Sequence, residues 1–397
     1  MGRFRLPKNP ALSKDYTKNP WIEEMRTYNP LTYAQTLLSQ GVTIDNLRDY
    51  LFLEKHLDRR KADLVARALK QQGKIVKNDN EVMLTINIPF CAWRCFNCQR
   101  VMYQLSKSED IYGYYYDNLM REVELSRAII AKKCYIVKSV YYMGNLLALD
   151  NEKMEKILAL SAFSLSETCV EIGNPAFITR EKLAILKKYG VTRLIFNALT
   201  FNMVSLRKLC RRYEFKDFYD AYKIVAEFGF DVNIELAVGM MDEKALQVKR
   251  NIQLAMDLGA TNIDLYARGC PYSPEELPLI DSKKIAEMRK TLEFVYDYMI
   301  SNGYEPYFVY NTELEHGCFE NVGYTIPHKK CYFFEDKVQG VSTIIGCGTN
   351  ATSVLVKNLK KERSLVTNPY DIGQYILGIE EYLDKKKKFF GFDFTNK

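Results

Sequence analysis

The sequence lacks the segments that place proteins in or across membranes. No run of about 18 apolar residues is present, so we expect no membrane span. The first ten residues, MGRFRLPKNP, have no apolar core behind their charges, and Leu6 stands where a myristoylation signal needs Ser or Thr. These absences predict a cytoplasmic protein.

The chain also has few histidines, no short repeat and only a small excess of positive charge. Three His occur among 397 residues, and 56 Lys and Arg against 49 Asp and Glu give a net charge of +7. This balance permits anionic partners but demands none. The end of the chain, four Lys followed by FFGFDF, is interpreted as a solvated end with packed aromatics, so we expect no nucleic-acid partner. A hydrophobic fraction of 47% excludes disordered and collagen-like chains.

Cysteine, by contrast, is plentiful. Ten Cys in a reducing compartment suggest metal or redox chemistry more than disulfides. Cys134, Cys169 and Cys210 lie singly in strand-like or helix-like runs, and we expect them to be buried small apolar residues. Four others are spaced too irregularly to favour a second metal centre. They are Cys270, Cys318, Cys331 and Cys347.

Apolar periodicity divides the chain into three predicted parts. Residues 1–79 comprise an irregular arm and a helical accessory segment, residues 80–302 alternate strands with helices, and residues 303–397 form a mixed cap. In the cap we expect short strands and a helix. The strands are predicted at 306–310, 331–335 and 341–346, and the helix near 370–384.

The middle part indicates a parallel sheet. Six nearly continuous apolar runs alternate with amphipathic helices, three of which stop at Gly190, Gly229 and Gly259. Such strands are typical of a sheet buried on both faces, with its ligand site at the carboxyl ends of the strands. Periodicity leaves open whether the sheet closes into a barrel. The six runs are 82–88, 136–143, 168–172, 192–196, 232–238 and 262–267.

The first of these runs leads directly into a cysteine array. In PFCAWRCFNC, the residues Cys91, Cys95 and Cys98 have C-x3-C-x2-C spacing, which lets a tight loop direct three sulfurs at one centre. Thiolates in such arrays hold zinc or an iron–sulfur cluster. Structural zinc sites close with four ligands, and no His is near, so the array favours a cubane cluster with one open iron. A zinc site with an incomplete ligand set stays an alternative.

These residues resemble a known family. INIPFCAWRCFNC is similar to the HIPFC-x3-C-x2-C signature of the radical S-adenosylmethionine (SAM) superfamily, and within it to the oxygen-independent coproporphyrinogen III oxidase/dehydrogenase group of HemZ-like type. The stretch CVEIGNPAFITREKLAILKKYGVTRLIFN resembles VEaGrPdtIt…L…GvtRisin of that group. ENVGYTIPHKKC resembles ENVGYakPGkeC. The similarity runs from about residue 30 to about residue 385.

The resemblance implies an α/β fold and a cofactor pair. The fold would be a partial (β/α)6 barrel with an N-terminal helical extension and a C-terminal α+β cap. Cys91, Cys95 and Cys98 would ligate a [4Fe-4S] cluster whose open iron takes the amino and carboxylate groups of SAM. One electron from a flavodoxin- or ferredoxin-type reductant would split SAM, and the resulting 5′-deoxyadenosyl radical would abstract hydrogen from a small-molecule substrate.

The same motifs imply further site residues. Gly144 falls in the glycine motif that receives the methionine part of SAM, Glu171 matches an acidic residue of the third strand, and Arg211 matches the Arg of a GRxH-type segment. Glu235 stands where the family has Asp, and its place between apolar neighbours in a strand favours a pocket residue, because unpaired buried carboxylates are costly. Arg211 and Glu235 are also the catalytic candidates. The cofactor-binding candidates are Asn97, Gly144, Asn145, Glu171, Arg211 and Glu235.

Several motifs depart from the family pattern. The GGGTPT loop is MGNLLA here, where Met143 and Asn145 narrow the turn, and Leu199 replaces the Gln of the GVQ motif. The YRQK element of the subgroup is YNTE at 310–313, which removes two cations that could hold propionates.

Three hypotheses therefore stay open for the function. The first is a coproporphyrinogen dehydrogenase of haem biosynthesis, and the second is a divergent radical SAM methyltransferase or tailoring enzyme for another metabolite. The third is a non-catalytic haem-binding or chaperone-like relative, with His316 and His328 as candidate axial ligands.

Overall fold

The structure is a computed structural model of the chain. It describes residues 59–72, 80–95, 98, 103–105, 109–240, 243–267, 282–314, 317–340, 342–357 and 362–392. The predicted arm at 1–30 and most of the helical segment at 31–75 lie outside these residues. The part described is helix α1 (Arg59–Gln72), which packs on a C-terminal strand through Arg67 and Glu305, 3.1 Å apart.

Six parallel strands form the core, as the six apolar runs predict. In chain order the described strands begin with β1 (Glu81–Ile88), which leads into a short pair, β2 (Phe90–Cys91) and β3 (Tyr103–Gln104). The parallel series β1-β4-β5-β6-β7-β8 then follows the order of the chain. Its later members are β4 (Ile136–Gly144), β5 (Glu167–Ile172), β6 (Arg193–Leu199), β7 (Asp231–Val238) and β8 (Asn262–Ala267).

Helices connect these strands, as βα units require. Several begin at side-chain caps that the sequence supplies: Asp150 accepts from the Lys153 N–H, and Thr179 accepts from the Lys182 N–H. The connecting helices are α2 (Glu109–Lys132), α3 (Asn151–Ser161), α4 (Arg180–Lys188), α5 (Met203–Lys208), α6 (Phe215–Ala226), α7 (Ala245–Asp257) and α8 (Ser282–Ser301).

The C-terminal strands extend the same sheet on both sides. Beside β8 lies β10 (Gly317–Thr325), which is antiparallel to it. On the far side of β10 lies β9 (Glu305–Leu314), which is antiparallel to β10. Beside β1 lies β11 (Thr343–Cys347), which is parallel to it. Two antiparallel strands follow β11, namely β12 (Thr352–Lys357) and β13 (Glu362–Thr367). The described sheet therefore has eleven strands.

One predicted strand is wrong. The segment 331–335 belongs to helix α9 (Tyr332–Gln339), which begins after extended Cys331 and ends at left-handed Gly340. Its apolar residues Phe333 and Phe334 gave the strand-like pattern, but they pack together into the inner face of the sheet. The predicted helix near 370–384 is present as two helices, α10 (Ile372–Leu377) and α11 (Ile379–Phe389).

The expected burial of three single cysteines is confirmed only for Cys169. Cys134 and Cys210 are exposed, because each lies in a left-handed turn just after a helix, with φ of 51° and 54°. The Lys-rich end is also less solvated than expected. Lys386 is buried, and its Nζ lies 2.6 Å from Glu122 Oε1.

The concave side of the sheet carries its own apolar cluster. Tyr141 and Phe333 stack there with ring centroids 4.1 Å apart. The other buried members are Met83, Cys169, Ile195, Tyr307, Phe308, Cys331 and Phe334. A larger core joins the outer face of the sheet to the helices. Of the helices in the described ranges, none combines the length and the hydropathy needed to cross a bilayer.

Candidate functional site

The cysteine loop lies at the carboxyl end of β1. Cys91 is buried in β2, whereas Cys95 and Cys98 are partly exposed. The Cys98 N–H donates to the Cys95 carbonyl at 3.3 Å, and the Tyr103 N–H donates to the Pro89 carbonyl at 2.6 Å. The loop is thus anchored where it leaves the sheet. Asn97, a predicted cofactor-binding residue, lies outside the described residues.

The spacing of these three sulfurs bears on the kind of metal group that fits. Within the described part of the chain, three ligand atoms approach within 4.8 Å of one another only at Glu167, Cys169 and Cys331. The Cys91, Cys95 and Cys98 sulfurs do not form such a group. A cluster in which each sulfur binds its own iron does not require so close an approach.

Gly144 and Glu171 meet beside this loop, at the ends of β4 and β5. The Gly144 N–H donates to Glu171 Oε2 at 3.0 Å, and the carboxylate is buried. Gly144 has a φ of +82°, and a Cβ there would lie 2.3 Å from the Ile88 carbonyl oxygen. Only glycine satisfies both conditions, so the backbone turn beside the cysteine loop depends on this residue.

Two buried carboxamides point their NH2 groups at the Cys91 sulfur. Asn145 Nδ2 lies 3.9 Å from Cys91 Sγ, and Asn174 Nδ2 lies 4.0 Å from it. The Asn145 side chain is therefore turned to the cysteine loop, although the sequence indicated that it narrows the turn. Asn145 Oδ1 and Asn87 Oδ1 are buried and accept no hydrogen bond from any described residue. Two free acceptors beside Gly144 suit a ligand that carries an ammonium group.

Arg211 and Glu235 are joined through Asn197. Arg211 NH2 donates to Asn197 Oδ1 at 2.9 Å, and Asn197 Nδ2 donates to Glu235 Oε2 at 2.6 Å. Arg211 NH1 also donates to the Asn197 carbonyl. The hydroxyl of Tyr266 on β8 donates to Glu235 Oε1 at 3.2 Å. One residue from the carboxyl-terminal half of each of β6, β7 and β8 thus joins Arg211, which follows α5, in a single polar network.

Charge links this network to the cysteines. Burial raises the pKa of the Cys95 thiol, and the nearby Arg211 guanidinium opposes the rise. Burial would lower the pKa of Arg211, but Tyr213, Cys95 and Cys98 together raise it. A buried cation that stays protonated beside two cysteines can offset the negative charge of their thiolates.

The structure therefore brings together all the described residues of the predicted site. Sequence reasoning missed Asn174, Asn197 and Tyr266. Asn197 could have been found, because it is a polar residue of a buried strand and is paired in register with Glu235. Leu199 stands at the end of β6 with a φ of 63° and is buried against Leu209, so it adds no polar group.

A second polar cluster lies at the amino ends of the strands, opposite the cysteine loop. Arg193, the first residue of β6, is buried, and its Nε donates to Glu167 Oε1 at 2.6 Å. Glu167 Oε2 accepts from the Cys331 thiol at 3.3 Å, and the Cys169 and Cys331 sulfurs are 4.0 Å apart. One layer above, burial raises the pKa of Asp264 to about 8. We call the Glu167, Arg193, Cys169 and Cys331 group the floor cluster.

Comparison with known proteins shows which superfamily the middle of the chain is similar to. Residues 85–254 match the family model of the Radical SAM superfamily. The matched range spans β1 to α7 and holds the cysteine loop, Gly144, Glu171, Arg211 and Glu235. This part of the chain is therefore similar to radical SAM domains, as the cysteine motif indicates.

Two curated proteins are similar to the chain at low identity. The chain is 24% identical over 353 residues to the oxygen-independent coproporphyrinogen-III oxidase-like protein HemZ of Bacillus subtilis, covering 86% of this chain and 70% of HemZ. It is 28% identical over 190 residues to the heme chaperone HemW of the same organism, covering 46% of this chain and 49% of HemW.

A solved structure supports the fold. Coproporphyrinogen III oxidase (HemN) from Escherichia coli superimposes with a TM-score of 0.58 at 17% identity, covering 81% of this chain and 73% of HemN. The predicted fold, a radical SAM α/β core with added helices and a C-terminal cap, is confirmed.

Proposed function

We propose that the protein is a radical SAM enzyme in which Cys91, Cys95 and Cys98 hold a [4Fe-4S] cluster. The observation that carries the proposal is the convergence of these cysteines with Gly144, Glu171 and the Arg211–Asn197–Glu235 network at one end of the parallel strands. When bound, the cluster and SAM would supply one-electron cleavage of SAM and a 5′-deoxyadenosyl radical that removes hydrogen from a substrate.

The residues of the chain would bind and orient the cofactors. The free carboxamide oxygens of Asn87 and Asn145 would accept from the SAM ammonium group beside the Gly144 turn. Arg211 has one buried nitrogen, Nε, without a described partner, and its charge suits the SAM carboxylate. Glu235, held on both oxygens by Asn197 and Tyr266, would accept from a hydroxyl or an amine of the ligand.

For the substrate we propose a small molecule of the porphyrinogen class. The support is that the relatives are named for a coproporphyrinogen oxidase-like protein and for heme chaperones. The missing cations at 310–313 argue against a close copy of coproporphyrinogen binding. A flavodoxin- or ferredoxin-type protein would deliver the electron.

A non-catalytic haem-binding role is the second candidate, because several relatives are named heme chaperones. The described residues near position 331 provide few candidate ligands for a haem iron. Cys331 is buried and donates to Glu167, whereas His328 is on the surface, and His316 lies outside the described residues. Methyl transfer or tailoring of another metabolite is the third possibility.

The test is anaerobic reconstitution with iron and sulfide, followed by reduction in the presence of SAM. We expect a brown protein with four irons per chain, as a [4Fe-4S] cluster requires, and formation of 5′-deoxyadenosine. Coproporphyrinogen III should stimulate that cleavage. Cleavage that ignores porphyrinogen would favour tailoring of another metabolite, and tight haemin binding without cleavage would favour the chaperone-like role.

Single cysteine variants provide the matched control. Cys95→Ala should lose the brown colour and SAM cleavage together, because the cluster would lose one of three ligands. Cys134→Ser changes an exposed cysteine and should keep both. A colourless wild-type protein after reconstitution would overturn the proposed function.

A further inference from the structure

The two carboxamides beside Cys91 lie in motifs quoted above, but those motifs assign no role to their NH2 groups. Asn145 is fully buried and Asn174 is 1% exposed, and both direct an NH2 group at the same sulfur from the loops that follow β4 and β5. Two donors on one buried sulfur are unusual, because a neutral thiol is only a weak acceptor. A thiolate is a much better acceptor, so the arrangement suits a sulfur that carries negative charge.

Both side chains are held in this orientation by other contacts. Asn174 Oδ1 accepts from the Ala176 N–H at 3.0 Å, which leaves its NH2 group for the sulfur. The Asn145 backbone N–H donates to the Ile88 carbonyl at 3.1 Å, so the residue is tied to the end of β1, three residues before Cys91. The donors are therefore positioned before any cofactor binds.

We propose that Asn145 and Asn174 are positioning residues that hydrogen-bond the Cys91 thiolate and raise the reduction potential of the cluster. The inference rests on the proposed function, because it assumes that Cys91 is a cluster ligand. Hydrogen bonds to the coordinating sulfurs are one of the means by which proteins set iron–sulfur potentials. They stabilise the reduced state more, since that state carries one more negative charge.

The sharpest variant is Asn174→Asp. Aspartate keeps the oxygen that caps the Ala176 N–H, and it replaces only the group that faces Cys91 with a carboxylate oxygen. Asn145→Leu removes the other donor and keeps the number and branching of the side-chain heavy atoms. The matched control is Asn202→Asp, which changes the cap of α5, where Oδ1 accepts from Val204 at 2.9 Å.

The readout is the midpoint potential of the reconstituted cluster, measured by a redox titration followed by electron paramagnetic resonance. Iron and sulfide are counted in every variant. Asn174→Asp and Asn145→Leu should each keep the wild-type iron content and shift the potential to more negative values. The double variant should shift it further, and Asn202→Asp should leave it unchanged.

The outcomes separate the two proposals. A wild-type chain that binds no cluster would overturn the proposed function and this inference with it. A cluster whose potential is the same in wild type and in both variants would overturn this inference alone. If one variant fails to assemble a cluster, the other still decides, since the two donors lie in different loops.

Discussion

Replacing Arg193 with Met should destabilise the protein far more than any surface ion-pair change. The guanidinium is buried and donates at 2.6 Å to each of Glu167 Oε1, Asn233 Oδ1 and Asn262 Oδ1. It also donates to the Lys329 carbonyl at 2.9 Å. Methionine fills similar volume but supplies no donor, so one carboxylate and three neutral acceptors lose this donor together.

The magnitude follows from these contacts. Removing one partner of a buried ion pair costs about 3–5 kcal/mol, because the other charge stays buried without compensation. The neutral acceptors left behind add to that cost, at about 1–3 kcal/mol for each that finds no new donor. Native stabilities are about 5–15 kcal/mol, so Arg193→Met should leave much of the protein unfolded at growth temperature.

Thermal unfolding followed by circular dichroism measures the effect. The control is Arg180→Met, which breaks an exposed pair with Glu227 and should lower the stability only slightly. Adding Glu167→Gln to Arg193→Met should recover part of the loss, because it removes the uncompensated charge. If Arg193→Met melted at the same temperature as Arg180→Met, the role given to the floor cluster would be refuted.

Three further predictions concern the Gly144 turn, the buried Asp264 and helix α11. Gly144→Ala should abolish SAM binding, measured by calorimetry, because of its clash and its φ of +82°, whereas Gly113→Ala, with nothing within 4 Å, should be tolerated. Burial raises the pKa of Asp264 from 3.8 to about 8, so between these pH values the carboxyl ionises in the unfolded chain but not in the folded one. Wild type should therefore lose thermal stability relative to Asp264→Asn as pH rises from 3.8 towards about 8. Equal melting curves at all pH values would contradict this. Lys386→Met should cost about 3–5 kcal/mol in a urea titration, and the exposed Lys385→Met should cost far less; similar losses would argue against the buried pair.

The parallel core could be predicted from sequence because its strands are short apolar runs between capped helices. All six runs are strands, and the helix predicted after Thr179 begins there. The cap was harder. The aromatic run at 331–335 has the composition of a strand, and only the left-handed Gly340 marks it as the end of a helix. The predicted boundaries at 79/80 and 302/303 stay predictions.

Within the candidate site, spacing identified the cysteine loop and resemblance identified Gly144, Glu171, Arg211 and Glu235. Neither method reveals side-chain direction. Asn174 and Asn197 acquire their roles only when neighbouring strands set them against Cys91 and Glu235. The floor cluster was missed for the same reason, since Glu167 and Arg193 are on adjacent strands but 26 positions apart in the sequence.

The position of β11 has a consequence for the order in which the protein can be made. Strand β1, which carries the cysteine loop, pairs with β11 along one side, and the paired residues Val82 and Thr343 are about 260 positions apart. A nascent chain grows by about 5–20 residues per second, so β1 waits many seconds with one side unpaired. The cysteine loop therefore rests on an unfinished sheet until β11 is made, and we expect the proposed cluster to assemble only after that strand has paired.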